Sequence, residues 1–258
     1  MPHYLKPAGH ARKVSTVIAN LPVGMEPGDS DSIKIVDGTE AIPHSYPYQV
    51  SLQFFHPKTK NWYHFCGGSI LDKKTVITAA HCIEGFEKLQ CRVDAGDHDL
   101  TKAEGTEQVF LYRPYEAFVY PLYDRCLRQK PLLSGTRLKH IVNIFCFPRS
   151  VIDYDYAIIK LKLPIEFNEY IQPIKLPEED TMPSNDCWST GWGNVRGDGK
   201  LSFPAILQQT PTPLADKESC AANYSSIDFA ITDRMVCAGG PNGAANETYH
   251  GICQVNSG

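Results

Sequence analysis

No run of apolar residues in this chain approaches the roughly 20 that a helix needs to cross a bilayer, so a helical membrane span is excluded. Charge of one sign is also scarce. Lys and Arg number 25 against 29 Asp and Glu, giving a formal charge of −4, and the pI is about 6.1. Neither nucleic acid nor an anionic membrane surface is therefore expected as a partner. Long amphipathic helical repeats are missing, and none of the nine cysteines stands in a C-x-x-C zinc spacing. Nine is nonetheless a large number for a reduced cytosolic enzyme, which favours an oxidising compartment. The amino-terminal stretch reads poorly as a secretory leader. Its best apolar segment, Val14 to Val23, is broken by Ser15, Thr16, Asn20 and Pro22 and lacks a small-residue cleavage site. The cysteines outweigh that missing leader, so the expectation is an extracellular protein whose start lies upstream or whose signal has been lost.

At 258 residues the chain can bury a large core, in one two-lobed domain or two small ones. Residues 1–34 read as a tail or propeptide, polar and ending in Gly28-Asp29-Ser30-Asp31-Ser32 before Lys34. From Ile35 onward, short β-rich runs alternate with turns, as in Tyr48–Phe54, Thr75–Thr78 and Ala157–Leu161. This texture predicts an all-β barrel or sandwich. Prolines at Leu163-Pro164 and between Gln172 and Pro177 suit a linker between two lobes.

The chemistry is concentrated in Thr78-Ala79-Ala80-His81-Cys82, with Cys66 upstream in Phe65-Cys66-Gly67-Gly68-Ser69. A histidine held at the end of an apolar run can carry a proton for a nucleophile supplied from elsewhere. Downstream stand Asp155-Tyr156-Ala157-Ile158-Ile159, Asp186-Cys187-Trp188 leading to Gly191-Trp192-Gly193, and Met235-Val236-Cys237-Ala238-Gly239. Together with Lys34-Ile35-Val36-Asp37-Gly38 and Tyr46-Pro47-Tyr48-Gln49-Val50, these segments resemble the chymotrypsin-type serine proteases (the S1 family), and Asn61-Trp62-Tyr63-His64-Phe65-Cys66 with Gly96-Asp97-His98-Asp99-Leu100 looks most like its chymotrypsin- and elastase-type digestive members.

The resemblance spans Lys34 to Gly258 apart from one insert, and it implies two six-stranded antiparallel β-barrels, the trypsin-like fold. It implies His81 as general base, Asp155 as the carboxylate that orients it, and Ser257 as nucleophile. Asp153 competes for the orienting role but lies two residues too early for the motif. Disulfides would join Cys66 to Cys82 and Cys220 to Cys237. Cleavage after Lys34 would free the Ile35 amino group to pair with the residue at Asn256. No cofactor is required for catalysis, although Asp97, Glu104 and Glu107 suit a structural calcium ion. The alternative is a solvated acidic loop. Asn223 and Asn246 open glycosylation sequons. Expected partners are a protein or peptide substrate, an activating protease and protein inhibitors, with the chain itself a monomer.

Three departures qualify this picture. Aligned on Cys253, Val255 replaces a glycine whose N–H, with that of Ser257, forms the oxyanion hole, and losing one such donor costs about 10²–10³ in rate. Asn256 replaces the aspartate that neutralises the freed amino group. The chain then stops, so the second barrel is expected to be incomplete at its carboxyl end. This polypeptide is accordingly expected to be inactive as written. The alternatives are a non-catalytic homologue that binds partners through a protease-like surface, or a product without function. Val255-Asn256 can also be read as intron sequence, which would make Ser257 a coincidence of read-through.

The insert 125–150 carries Cys126 and Cys146 and has no period. It reads either as a surface loop or as a translated intron, since pyrimidine-rich codons suit Ile144 to Pro148 and splice-junction codons suit Arg125-Cys126 and Arg149. At the floor of the expected primary pocket, Gly251, followed by Ile252, stands where Arg/Lys-selective relatives carry an aspartate. That absence predicts an apolar side chain before the cut bond.

Overall fold

The computed structural model describes residues 16–17, 35–36, 38–84, 86–123, 153–178, 187–193, 202–225, 230–238 and 251–252. Its strands are β1 (Thr16–Val17), β2 (Ile35–Val36), β3 (Thr39–Glu40), β4 (Gln49–His56), β5 (Asn61–Asp72), β6 (Thr75–Thr78) and β7 (Cys91–Ala95). They continue as β8 (Gln108–Tyr112), β9 (Phe118–Val119), β10 (Ala157–Lys160), β11 (Trp188–Gly191), β12 (Gln208–Pro211), β13 (Met235–Val236) and β14 (Gly251–Ile252). A single α-helix, α1 (Lys217–Ser225), stands among the described residues.

The first lobe is a seven-stranded sheet in the order β8-β7-β4-β5-β6-β10-β9, with every pair antiparallel. The seventh strand beyond the expected six is the two-residue β9, which pairs with β10 through Val119 and Phe118. β-Branched and aliphatic side chains at alternate positions turn to one face, where Val50, Leu52, Ile70, Val76, Val93 and Ile159 form a closed core. Burying each such side chain contributes about 1.5–3 kcal/mol.

The other face of β4 is polar and equally covered. Ser51 Oγ meets His64 Nδ1 at 2.8 Å, and Gln49 Oε1 accepts a 2.8 Å bond from Thr190 Oγ1 of β11. β4 therefore alternates polar and apolar residues from Gln49 to Phe54 although both of its faces are covered. The proline-punctuated stretch after β10 lies along the first lobe, with Leu161 and Ile165 donating to the carbonyls of Lys74 and Lys73 and Gln172 donating to that of Pro47.

The described part of the second lobe holds the three-stranded sheet β11-β12-β3. The helix α1 opens at Asp216, whose carboxylate accepts the Ser219 N–H at 2.8 Å in the manner of an N-cap. The two lobes meet along a backbone seam. Leu100 N–H donates to Ala205 O and Leu207 N–H donates to His98 O, each at 2.9 Å. Trp192, 1% exposed, closes the seam by donating its indole N–H to His98 O at 3.1 Å. Thr16–Val17 pairs in parallel with β13.

Candidate active site

β6 runs directly into a short 3₁₀ turn, Ala80–Cys82, that carries His81. The flanking residues explain its position. Ala79 and Ala80 are buried to 1% and 0% exposure, so only small side chains fit there, and Cys82 is tied back to Cys66 of β5 by a disulfide. Pairing of Ala157 with Thr78 aligns β10 with β6. The residues just before Ala157 therefore meet those just after Thr78.

The outcome is a tight pair. His81 Nδ1 lies 2.6 Å from Asp155 Oδ2, and the His81 backbone N–H donates to Asp155 Oδ1 at 2.9 Å. The side chains are 11% and 6% exposed. Burial by itself would push the Asp155 carboxyl up. The charge and hydrogen bond of the His81 ring, with the N–H groups of His81 and Ala80, overcome that and hold it below the ordinary carboxylate range. An ionised, doubly accepting carboxylate fixes the ring with Nδ1 protonated and leaves Nε2, 3.5 Å from the disulfide-bonded Cys82 Sγ, as the unprotonated nitrogen. Asp153 makes no such contact with His81. Its carboxylate is engaged by Arg234.

His64 is a feature that sequence reading passed over. Its imidazole is half-buried with Nε2 closed off from solvent, its pKa is lowered to about 4 by desolvation, and it packs 5.3 Å from Trp192. Nδ1 meets Ser51, while Nε2 has no partner among the described residues. The signal in the sequence was its placement two residues before Cys66 on a strand with buried neighbours.

The acidic loop between β7 and β8 also closes up. Asp97, Glu104 and Glu107 bring carboxylate oxygens within 4.8 Å of one another. Glu104 accepts the N–H groups of His98 and Asp99 at 2.8 and 3.1 Å. Glu107 accepts those of Glu104 and Gly105, the latter at 2.7 Å. Asp97 Oδ1 is buried and has no hydrogen-bond donor among the described residues. Burial, followed by the charges of Asp94, Glu107 and Glu104, raises its pKa to about 7. An orphaned carboxylate oxygen among three hard donors fits a divalent cation.

The second expected disulfide, Cys220–Cys237, is formed, and Cys91 is a buried free thiol. Gly251 and Ile252 form β14, which pairs with Val36 and Ile35. Asn223 lies in α1. Lys34, Val255, Asn256, Ser257, Asn246 and the insert lie outside the described residues.

Comparison with known proteins agrees with this geometry. Residues 35–258 match the family described as trypsin. Chymotrypsin-like elastase family member 1 of Macaca fascicularis is 32% identical over 227 residues, 87% of this chain and 71% of that protein. The rat protein of the same name is 33% identical over 80% of this chain and 67% of its own length. Human chymotrypsin-like elastase family member 3A is 33% identical over 83% of this chain and 69% of its own length. With a His–Asp pair at the mouth of an antiparallel half-barrel and a family match that covers all of it, the chain belongs to the trypsin family of chymotrypsin-type serine proteases.

Proposed function

We propose that His81 and Asp155 are the proton-handling pair of a secreted serine endopeptidase whose nucleophile is Ser257. The observation that carries this reading is the hydrogen bond between His81 Nδ1 and Asp155 Oδ2 at 2.6 Å. With Nδ1 so held, Nε2 takes the Ser257 hydroxyl proton as Oγ attacks the substrate carbonyl carbon. It then returns that proton to the leaving amine, and water repeats the sequence to release the acyl group. Asp155 stays ionised and stabilises the imidazolium that forms between these steps. Catalysis by this family needs no cofactor.

The finer features follow from named residues. Cleavage after Lys34 would free the Ile35 ammonium, and Gly251 at the pocket floor favours an apolar side chain before the cut bond. Residues 1–34 would be the propeptide, and the disulfides Cys66–Cys82 and Cys220–Cys237 suit an oxidising exterior. Asp97, Glu104 and Glu107 would hold a calcium ion, which would neutralise the charge gathered in their loop. The N–H groups of Val255 and Ser257 would line the oxyanion hole. A β-branched residue at 255 is poorly suited to that backbone, and Asn256 offers the freed ammonium no countercharge. This chain is accordingly a weak or silent catalyst.

The test is labelling of the full chain, cut after Lys34, by a fluorophosphonate probe. No labelling of the natural sequence is expected, and slow labelling is expected once Val255→Gly and Asn256→Asp are introduced together. Stoichiometric labelling of the natural sequence would overturn the assignment of low activity. Continued silence of the double variant would remove Ser257 as the nucleophile. The same two substitutions favour a second reading, a non-catalytic homologue that retains peptide binding, whose signature is inhibitor binding by both forms with turnover by neither.

A further inference from the structure

We propose that Arg234, supplied by the second lobe, is a positioning residue for Asp155. It clamps the Asp153–Tyr154 turn from which the Asp155 carboxylate is delivered to His81. The proposal rests on the reading of His81 and Asp155 given above.

The turn needs a clamp. Tyr154 has φ of 57°, in the left-handed region that bulky side chains rarely adopt and that persists only where the surroundings over-determine it. Local bonds shape the turn: the Tyr154 N–H donates to Asp153 Oδ1 at 2.9 Å, and the Tyr156 N–H donates to Tyr154 O at 2.8 Å. These fold the segment on itself but do not tie it to anything outside.

Arg234 supplies the tie on two sides. Its Nε donates to both Asp153 oxygens at 3.0 Å, and its Nη2 makes a further, shorter contact with Oδ2. Its guanidinium also lies 4.5 Å from the centroid of the Tyr154 ring. That ring stacks in turn with Tyr120 at 4.9 Å, and Tyr120 packs against Tyr156 at 4.8 Å. Both neighbours of Asp155 are thus held in one aromatic group, and the residue before them is held by a charged fork. Planar bidentate pairing with simultaneous stacking is a property of arginine that lysine does not share.

The far end of the clamp is itself anchored. Arg234 directly precedes β13, where Met235 is buried to 4% exposure, and Cys237 is bonded to Cys220. Its own N–H donates to Thr232 Oγ1 at 3.3 Å, and that hydroxyl reaches Asp153 Oδ1 at 3.4 Å. The carboxylate of Asp155 reaches His81 from a backbone whose path depends on this contact between lobes. Small displacements of a positioned group are amplified in its chemistry.

The experiment is proton NMR of the full chain, following the far-downfield resonance of the His81 Nδ1 proton that Asp155 binds. It is expected to be visible in the natural protein. In Arg234→Ala and in Asp153→Asn its solvent exchange is expected to accelerate at least tenfold. Tyr154→Phe, which keeps the ring, should preserve the resonance. So should Lys217→Ala, which breaks the neighbouring 2.6 Å ion pair with Asp233 without touching the turn. Melting curves accompany each variant, and the isosteric Asp153→Asn carries the test if Arg234→Ala does not fold. A lower melting temperature with an unchanged resonance would make Arg234 a structural strut and overturn the proposal. Absence of the resonance from the natural protein would instead overturn the pairing of His81 with Asp155, and the clamp with it.

Discussion

Ala157 stands opposite Thr78 in the ladder between β10 and β6, and this single register sets the distance between Asp155 and His81. Both side chains of the ladder pair are fully buried, so the register leaves no room for growth at Ala157. Replacing Ala157 by Leu should cost about 1–3 kcal/mol through overpacking, measured by urea denaturation. Because the added bulk strains the ladder that aligns the two groups, the variant should also lose the His81 Nδ1 resonance.

The acidic loop is closed at a glycine that cannot be replaced cheaply. Gly96 has φ of 86°, and a Cβ there would meet the Thr106 carbonyl oxygen at 2.6 Å. Adding calcium to the natural protein should raise its melting temperature through preferential binding to the folded state. Gly96→Ala should lower the melting temperature in calcium-free buffer and abolish most of that rise. Glu107→Gln should abolish the rise while keeping the fold.

His64 gives the protein an acid-sensitive limb. In the folded chain it titrates near 4, against an ordinary 6.5, because burial penalises the charged ring. Between those values the unfolded chain binds a proton that the folded chain refuses, so stability rises with pH through this window. The contribution is present above about 6.5 and is lost as pH falls toward 4, an effect of order 3 kcal/mol. Thermal melts at pH 4.5 and 7 should show it, and His64→Gln, which retains a partner for Ser51, should flatten it.

Cys91 should be inert. Desolvation pushes its thiol up to about 11, against the opposing effects of Tyr112 and Arg113, and thiolate is the reactive form. Maleimide labelling followed by peptide mass spectrometry should leave Cys91 unmodified in the folded chain and modify it in denaturant.

The proposed proton-handling pair was legible because the segments around His81 and Asp155 carry the family resemblance. His81 sits among small buried alanines and a cysteine, and Asp155 sits at the head of an apolar strand. The same holds for Cys66 with Cys82 and for Cys220 with Cys237, which the structure joins as the resemblance implies. The helix at Lys217–Ser225 was not legible. Its composition is polar, and its start rests on the single Asp216 cap rather than on a periodic face. His64 and Arg234 escaped for a related reason. Their importance lies in partners that are distant in sequence, and neither spacing nor periodicity records a contact between Arg234 and Asp153 or between His64 and Trp192. The exchange of roles between Asp153 and Asp155 was settled in the sequence only by motif position. In the fold Asp155 faces the imidazole of His81 and Asp153 faces the guanidinium of Arg234.

The seam between the lobes combines main-chain and side-chain bonds: Leu100 to Ala205 and Leu207 to His98 through peptide groups, and Trp192 to His98 and Thr190 to Gln49 through side chains. Peptide groups are the same whatever side chains they carry. Replacement of Leu100 or Ala205 therefore leaves those peptide bonds available, whereas Leu207, 2% exposed in one cluster with Ala41 and Trp192, is also held by its side chain. Divergence at this join is thus filtered by position: it is free where only the backbone reaches across and restricted where a buried side chain does.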